Sequence, residues 1–309
     1  MHFFFNHFLS LALLLGVTNC NKSTELDAIW EANYNLDAIQ NSNKFELHDQ
    51  NIISQNLKEI SGIVGGIKND NMLYMIEDKG NDNEVYVFNQ TGQYQTKLVI
   101  HGVQNIDWED IAIGPGPQDG ENYIYIGDIG DNDAVRTSVR IIRFVEPDLS
   151  NNSSNAITIN DFDIIDFQYP TGPRDAETLL VNPFNKDLII MTKREAVTRV
   201  YFLSYPYNKS MNQATFVGLL PFIRLVGGDI SSNGQRIAVK NKSTIYYWET
   251  VNNNIFETLF RNAPSTVAYA QEPQGESIGF SKDGTSYFTI SETKGHSGAE
   301  PILYHFKEN

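Results

Sequence analysis

Acidic residues recur at one place in a repeated pattern. Five segments open alike: residues 59–63, 107–111, 175–179, 227–230 and 274–278. Within them Ser61, Glu109, Glu177, Gly228 and Glu276 are equivalent, spaced by 48, 68, 51 and 48 residues. Carboxylates brought together from separate segments cannot all stay ionised without compensation. They need protons, cationic partners or a metal. Hard oxygen donors from several convergent positions suit Ca²⁺, and Mg²⁺ less well. Glu109, Glu177, Asp229 and Glu276 are the candidate metal ligands, together with Asp128 from the acidic loop 127–133. A carboxylate with a raised pKa beside such a metal can act as a general base, and Asp107 and Asp175 stand in that position. Arg174, Lys193 and Arg194 are the cations placed to hold an anionic substrate. The alternative reading is structural: each acid pairs with a neighbouring Lys, Arg or backbone N–H. For loop 127–133, Ca²⁺ binding and a tight turn with Asp acceptors both remain open; its spacing is not that of an EF-hand. Trp108 is either a stacking surface for a ligand or a wedge between packed sheets.

Other chemistries find little support. The chain has no His-Glu-x-x-His, no Gly-x-Ser-x-Gly elbow and no Gly-rich phosphate loop.

The elements that would position these residues repeat with them. Each segment is followed by an Asn-, Asp- or Gly-bearing turn, such as Ser232-Asn233-Gly234 or Lys282-Asp283-Gly284, and then by apolar strands. A fourth strand is expected at residues 95–100, 215–220 and 256–260. Four antiparallel strands every 45 to 50 residues describe one blade of a β-propeller. The fold expected is therefore all-β, with five four-stranded blades. It would have six if residues 145–170 hold a further sheet. Two packed β domains are the competing architecture. The fifth repeat lacks its outer strand, and residues 44–48 can supply it, which closes the ring and removes exposed edges. In a propeller the first strand of every blade lines the channel. The topology thus gathers the acids at one channel mouth. Val64-Gly65-Gly66 and Val226-Gly227-Gly228 fit channel strands that approach closely.

Residues 1–19 read as a signal peptide whose apolar run is too short for a bilayer, which takes about 20 residues. Cys20 closes that run and is the only cysteine, so it is the candidate for lipidation rather than a disulfide. Residues 20–42 are expected to be a tether, with Trp30 and Tyr34 able to dock, and residues 43–309 a single domain. A formal charge of −15 argues against nucleic acid and suits cations. The 15 Tyr and 18 Phe favour strands.

The words Asp107-Trp108-Glu109-Asp110-Ile111-Ala112, Gly127-Asp128-Ile129-Gly130-Asp131-Asn132 and Arg143-Phe144-Val145-Glu146-Pro147 resemble a family of uncharacterised secreted bacterial β-propellers. The likeness extends over about residues 58–306. More remotely, the Glu-x-Ser-Gly and Asp-x-Glu openings are similar to SdiA-regulated and esterase-like phytase propellers, and through them to calcium-dependent lactonases and phosphotriesterases. The resemblance implies a channel cation at Glu109, Glu177, Asp229 and Glu276. The expectation is a monomeric lipoprotein of the cell envelope, periplasmic or cell-surface, or else a secreted protein. It would meet the membrane only through its anchor and bind a cation, with a small-molecule or protein ligand unspecified. A Ca²⁺-dependent hydrolase of phosphate esters or lactones and a metal-free interaction scaffold are the alternatives.

Overall fold

The computed structural model describes residues 29–309. The signal peptide, Cys20 and the first part of the tether lie outside the described residues. The rest forms five small sheets, antiparallel except for an outermost strand added in parallel to three of them. Each inner strand touches the inner strands of the blades before and after it, and the fifth touches the first, so the sheets ring one axis. The inner strands are Ile60–Gly65, Trp108–Pro115, Ala176–Val181, Gly227–Ile230 and Ser277–Phe280, for blades 1 to 5. Successive strands step outward from each of these.

The core explains why the middle strands read as unbroken apolar runs. It consists of five clusters, one in each interface between adjacent blades. In blade 3, Leu188 and Ile190 enter the cluster shared with blade 2, whereas Ile189 and Met191 enter the cluster shared with blade 4. A strand buried on both faces has no polar side to show. Trp108 is fully buried in the cluster between blades 1 and 2, so it is a wedge. The inner strands nearly touch: a Cβ on Gly279 would stand 2.6 Å from the Ile63 carbonyl oxygen, and one on Gly65 would overlap that of Phe280. Only glycine tolerates this approach.

Three features refine the expected pattern, and the second corrects it. Residues 145–170 hold no sixth sheet: Asp163–Gln168 is the fourth strand of blade 2, and Ile157–Ile159 adds in parallel to the outer edge of blade 1. The strand expected at 256–260 is a helix, Ile255–Arg261. Asn254 caps it by accepting from the Glu257 amide at 3.0 Å, and Ile255, Thr258 and Leu259, at helical spacing, are buried. The outer strand of blade 4 is instead the two-residue Ser265–Thr266. Finally, residues 29–42 lie against the ring. Trp30–Glu31 pairs in parallel with the outer strand of blade 3, and Asn41 bridges to Thr266 of blade 4.

The chain then continues into Phe45–Ile52, which pairs antiparallel with Ile302–Glu308 and completes blade 5. The ring is closed by an N-terminal strand, as the repeat pattern required.

Candidate metal centre at the channel mouth

Local backbone irregularity aims the acids. In blade 2 the pairing steps from Trp108 with Asp128 to Asp110 with Gly127, which leaves Glu109 as the extra residue of a β-bulge. Blade 3 does the same at Glu177 and blade 1 at Ser61. A bulge breaks the two-residue alternation and re-aims a side chain. Neighbours Glu109 and Asp110 consequently have different surroundings. Asp110 is fully buried and accepts from Ile111 N–H and from Leu179 N–H of the next blade, each at 2.9 Å. Asp229 repeats that clamp between blades 4 and 5, accepting from Ile230 N–H at 2.8 Å and Phe280 N–H at 2.7 Å. Burial pushes its carboxyl up to about 7.

Glu109 is the hub of the mouth. One carboxylate oxygen from each of Glu109, Asp175 and Glu177 lies within 4.8 Å of the others, and so does one from each of Asp78, Asp107 and Glu109. Oxygens around one Ca²⁺, bonded at about 2.4 Å, can be no farther apart than that. Asp107 and Asp175, expected as bases, are thus part of the two clusters. Burial, and then the charges of Glu177, Asp78 and Asp107, hold the Glu109 carboxyl well above its usual range. Burial raises Glu177 to about 8 and Asp78 to about 6.

Most of these acids have a cation. Lys79 stands 3.4 Å from Asp107, and Arg194 bonds Asp175 at 2.5 Å. Lys193 bonds Glu177 and stands 3.9 Å from Glu276, which Lys242 holds at 3.2 Å. Lys193 therefore separates Glu276 from the other two glutamates of its repeat position. Among the described residues Glu109 has neither an ion-pair nor a hydrogen-bond partner, although it is only 8% exposed. Asp229 and Asp128 stand outside the clusters. Asp128 is fully buried between Arg136 at 2.8 Å and Arg140 at 2.9 Å. Loop 127–133 is a turn: Asp131 accepts from Val135 N–H at 2.9 Å and Arg136 N–H at 2.8 Å. Its role at the mouth is positional, because the Asp131 amide donates to Asp175 at 2.8 Å.

Arg174 also stands apart, 3.7 Å from Glu195. Lys193 and Arg194 do line a cavity on the mouth face, of about 480 Å³, together with Arg224 and Lys242. The sequence reading missed the last two, and it left Asp78 out of the ligand set. Their signal was topological: Lys242 follows the second strand of blade 4, and Arg224 lies in the connection from blade 3 to blade 4.

Gly130 forms the back wall. A Cβ there would overlap Glu109 Oε1 and stand 2.7 Å from Asp107 Oδ2. Gly130→Ala is therefore expected to displace Glu109 and to abolish any Ca²⁺-dependent rise in melting temperature, while the protein stays folded. A variant that keeps the full rise, measured by calorimetry, would contradict this placement.

No protein-family model matches the chain, and no curated protein sequence is significantly similar to it.

Proposed function

We propose that this propeller binds a divalent cation at its channel mouth, with Glu109, Asp175 and Glu177 as protein ligands and Asp78 and Asp107 close by. Ca²⁺ suits this all-oxygen set best. The observation that carries the reading is Glu109: a buried carboxyl shared by both acid clusters, with no ion pair or hydrogen bond of its own among the described residues and only the more distant charge of Lys193 to offset the acids around it. A scaffold whose acids are purely structural would pair every one of them, and most of the mouth is paired that way. Asp78, Glu109 and Glu292 have no ion pair among the described residues, and of the three Glu109 alone also lacks a hydrogen bond. The proposal retains the lipid anchor at Cys20 and an envelope location, both of which rest on the sequence alone.

Thermal unfolding tests the cation site. A ligand that binds only the native state stabilises it by about 2.7 kcal/mol at a hundredfold excess over its Kd. In a domain of this size that corresponds to a rise of several degrees, at roughly 2 °C or more per kcal/mol. Ca²⁺ is expected to give such a rise, EDTA to reverse it, and Glu109→Gln to lose it. A melting temperature indifferent to both Ca²⁺ and EDTA would refute the cation site.

A further inference from the structure

The cavity on the mouth face is walled by Lys193, Arg194, Arg224 and Lys242, and among the described residues no acid lines it. In a chain of formal charge −15, such a wall is a strong local departure. Its volume of about 480 Å³ lies in the range of small-molecule sites. The four cations differ in their other partners. Arg224 is exposed, adopts a left-handed φ of 56°, and has no ion-pair partner among the described residues. Lys242 holds Glu276. Lys193 and Arg194 are also bonded to Glu177 and Asp175. Those are two of the three proposed cation ligands.

The geometry points to an oxyanion site in this cavity, coupled to the cation site through Lys193 and Arg194. The inference rests on the cation reading for the coupling, but not for the cavity. The ligand class is a small molecule bearing a phosphate or a carboxylate, the groups that paired guanidinium and ammonium donors recognise. The coupling follows from shared partners. A divalent cation on Glu177 and Asp175 takes over the neutralisation that Lys193 and Arg194 supply. The two side chains then have charge to offer an anion. Conversely, an anion that draws them into the cavity leaves both carboxylates short of positive charge and strengthens their hold on a cation. Thermodynamic linkage makes the two effects equal.

The test is calorimetric titration of the purified full-length protein with inorganic sulfate, a tetrahedral dianion whose charge is constant near neutral pH. Titrations are run in EDTA and in Ca²⁺, beside the Ca²⁺-dependent melting shift of the same samples. Ca²⁺ is expected to tighten sulfate binding by about fivefold or more, and sulfate to tighten Ca²⁺ by the same factor. Arg224→Ala and Lys242→Ala are expected to lose sulfate binding and keep the Ca²⁺ melting shift, since neither touches a proposed cation ligand. Wild-type protein that shows the Ca²⁺ shift but binds no sulfate overturns the oxyanion site and leaves the cation site standing. Sulfate binding that survives in both variants also overturns it. Sulfate binding that depends on Arg224 and Lys242 but is the same with and without a demonstrated Ca²⁺ shift overturns the coupling. Loss of the Ca²⁺ shift in wild type counts against the cation reading, and the sulfate titration in EDTA still decides the cavity.

Discussion

Held in EDTA, the protein is expected to lose stability as the pH rises from about 5 to about 8, and Ca²⁺ is expected to restore most at the alkaline end. The sign follows from which state holds its protons longer. Glu109, Glu177 and Asp78 all have carboxyls raised by burial, Glu177 to about 8 and Asp78 to about 6. Glu292 is raised to about 8 by burial and by its hydrogen bond with Glu276. The unfolded chain releases these protons above about pH 4.5, whereas the folded protein keeps them. Their stabilisation is complete below that value and is lost as the pH climbs through the folded values. A tenfold difference in proton affinity between folded and unfolded chain is worth about 1.4 kcal/mol, so the buried Glu177 alone contributes on the order of a few kcal/mol. Glu292 is more open to solvent and contributes less after screening. His305, half-buried and lowered to about 4 by burial, adds a smaller opposite slope below about pH 6.5. Glu276 also works the other way. Its hydrogen bond with Glu292, together with Lys242 and Lys193, outweighs its burial and lowers its carboxyl, so its stabilisation is lost below about pH 4.5, outside this window. A cation binds the ionised form and releases the protons, so its effect must grow over the same range. Melting curves at stepped pH, with EDTA or with Ca²⁺, read both slopes. A melting temperature in EDTA that is flat or rising between those limits would refute the mouth as drawn.

Glu146→Ala is expected to remove about 3–5 kcal/mol of stability and to leave the Ca²⁺ response intact. Glu146 is fully buried at the end of blade 2 opposite the mouth. Its Oε2 accepts from Lys68 N–H at 2.7 Å and Ile67 N–H at 3.3 Å. Its Oε1 accepts from Asn69 N–H, Asn69 Nδ2 and the Tyr74 hydroxyl, each at 3.1 Å. One side chain thus satisfies the first hairpin turn of blade 1 and bolts it to blade 2. Truncation leaves buried donors without acceptors and adds a cavity. Gln keeps one acceptor oxygen but turns an NH₂ group toward N–H donors, so its cost should be intermediate. Urea unfolding would show a lower midpoint at unchanged slope. A loss under about 1 kcal/mol for the Ala variant would show that the turn finds other acceptors.

The blades were legible because the strands are buried on both faces: runs such as Leu188–Thr192 and Ser286–Ile290 have no polar alternation to disguise them. Ring closure followed from a fifth repeat that lacked an outer strand. The helix Ile255–Arg261 was missed because seven residues of mixed apolar character fit a strand equally well, although Asn254 with Glu257 carried its cap. At the mouth, repeat position correctly placed Glu109 and Glu177. It chose Glu109 over Asp110 by repeat position alone; the physical reason is the bulge, and a bulge depends on pairing that no single strand reveals. Asp128 and Asp229, expected as ligands, stand outside the acid clusters for a related reason. Their partners, Arg140 in the next strand and Phe280 in the next blade, are fixed only by tertiary structure. Arg224 gave no sign, because its place on the cavity wall depends on a connection of irregular backbone.

The seam in blade 5 dictates an order of assembly. Phe45–Ile52 is made early in synthesis, and its partner Ile302–Glu308 is made more than two hundred residues later. Until then the early strand has no neighbour and blade 1 has no blade beside it on that side. Blades 1 to 4 are each continuous in sequence apart from their added outermost strands, and can form in turn as the chain lengthens. Their arc stays open, with an inner-strand glycine surface at each end waiting for blade 5. The nascent chain therefore carries two unsatisfied sheet faces for nearly the whole of translation, and a chain halted before residue 302 would keep them.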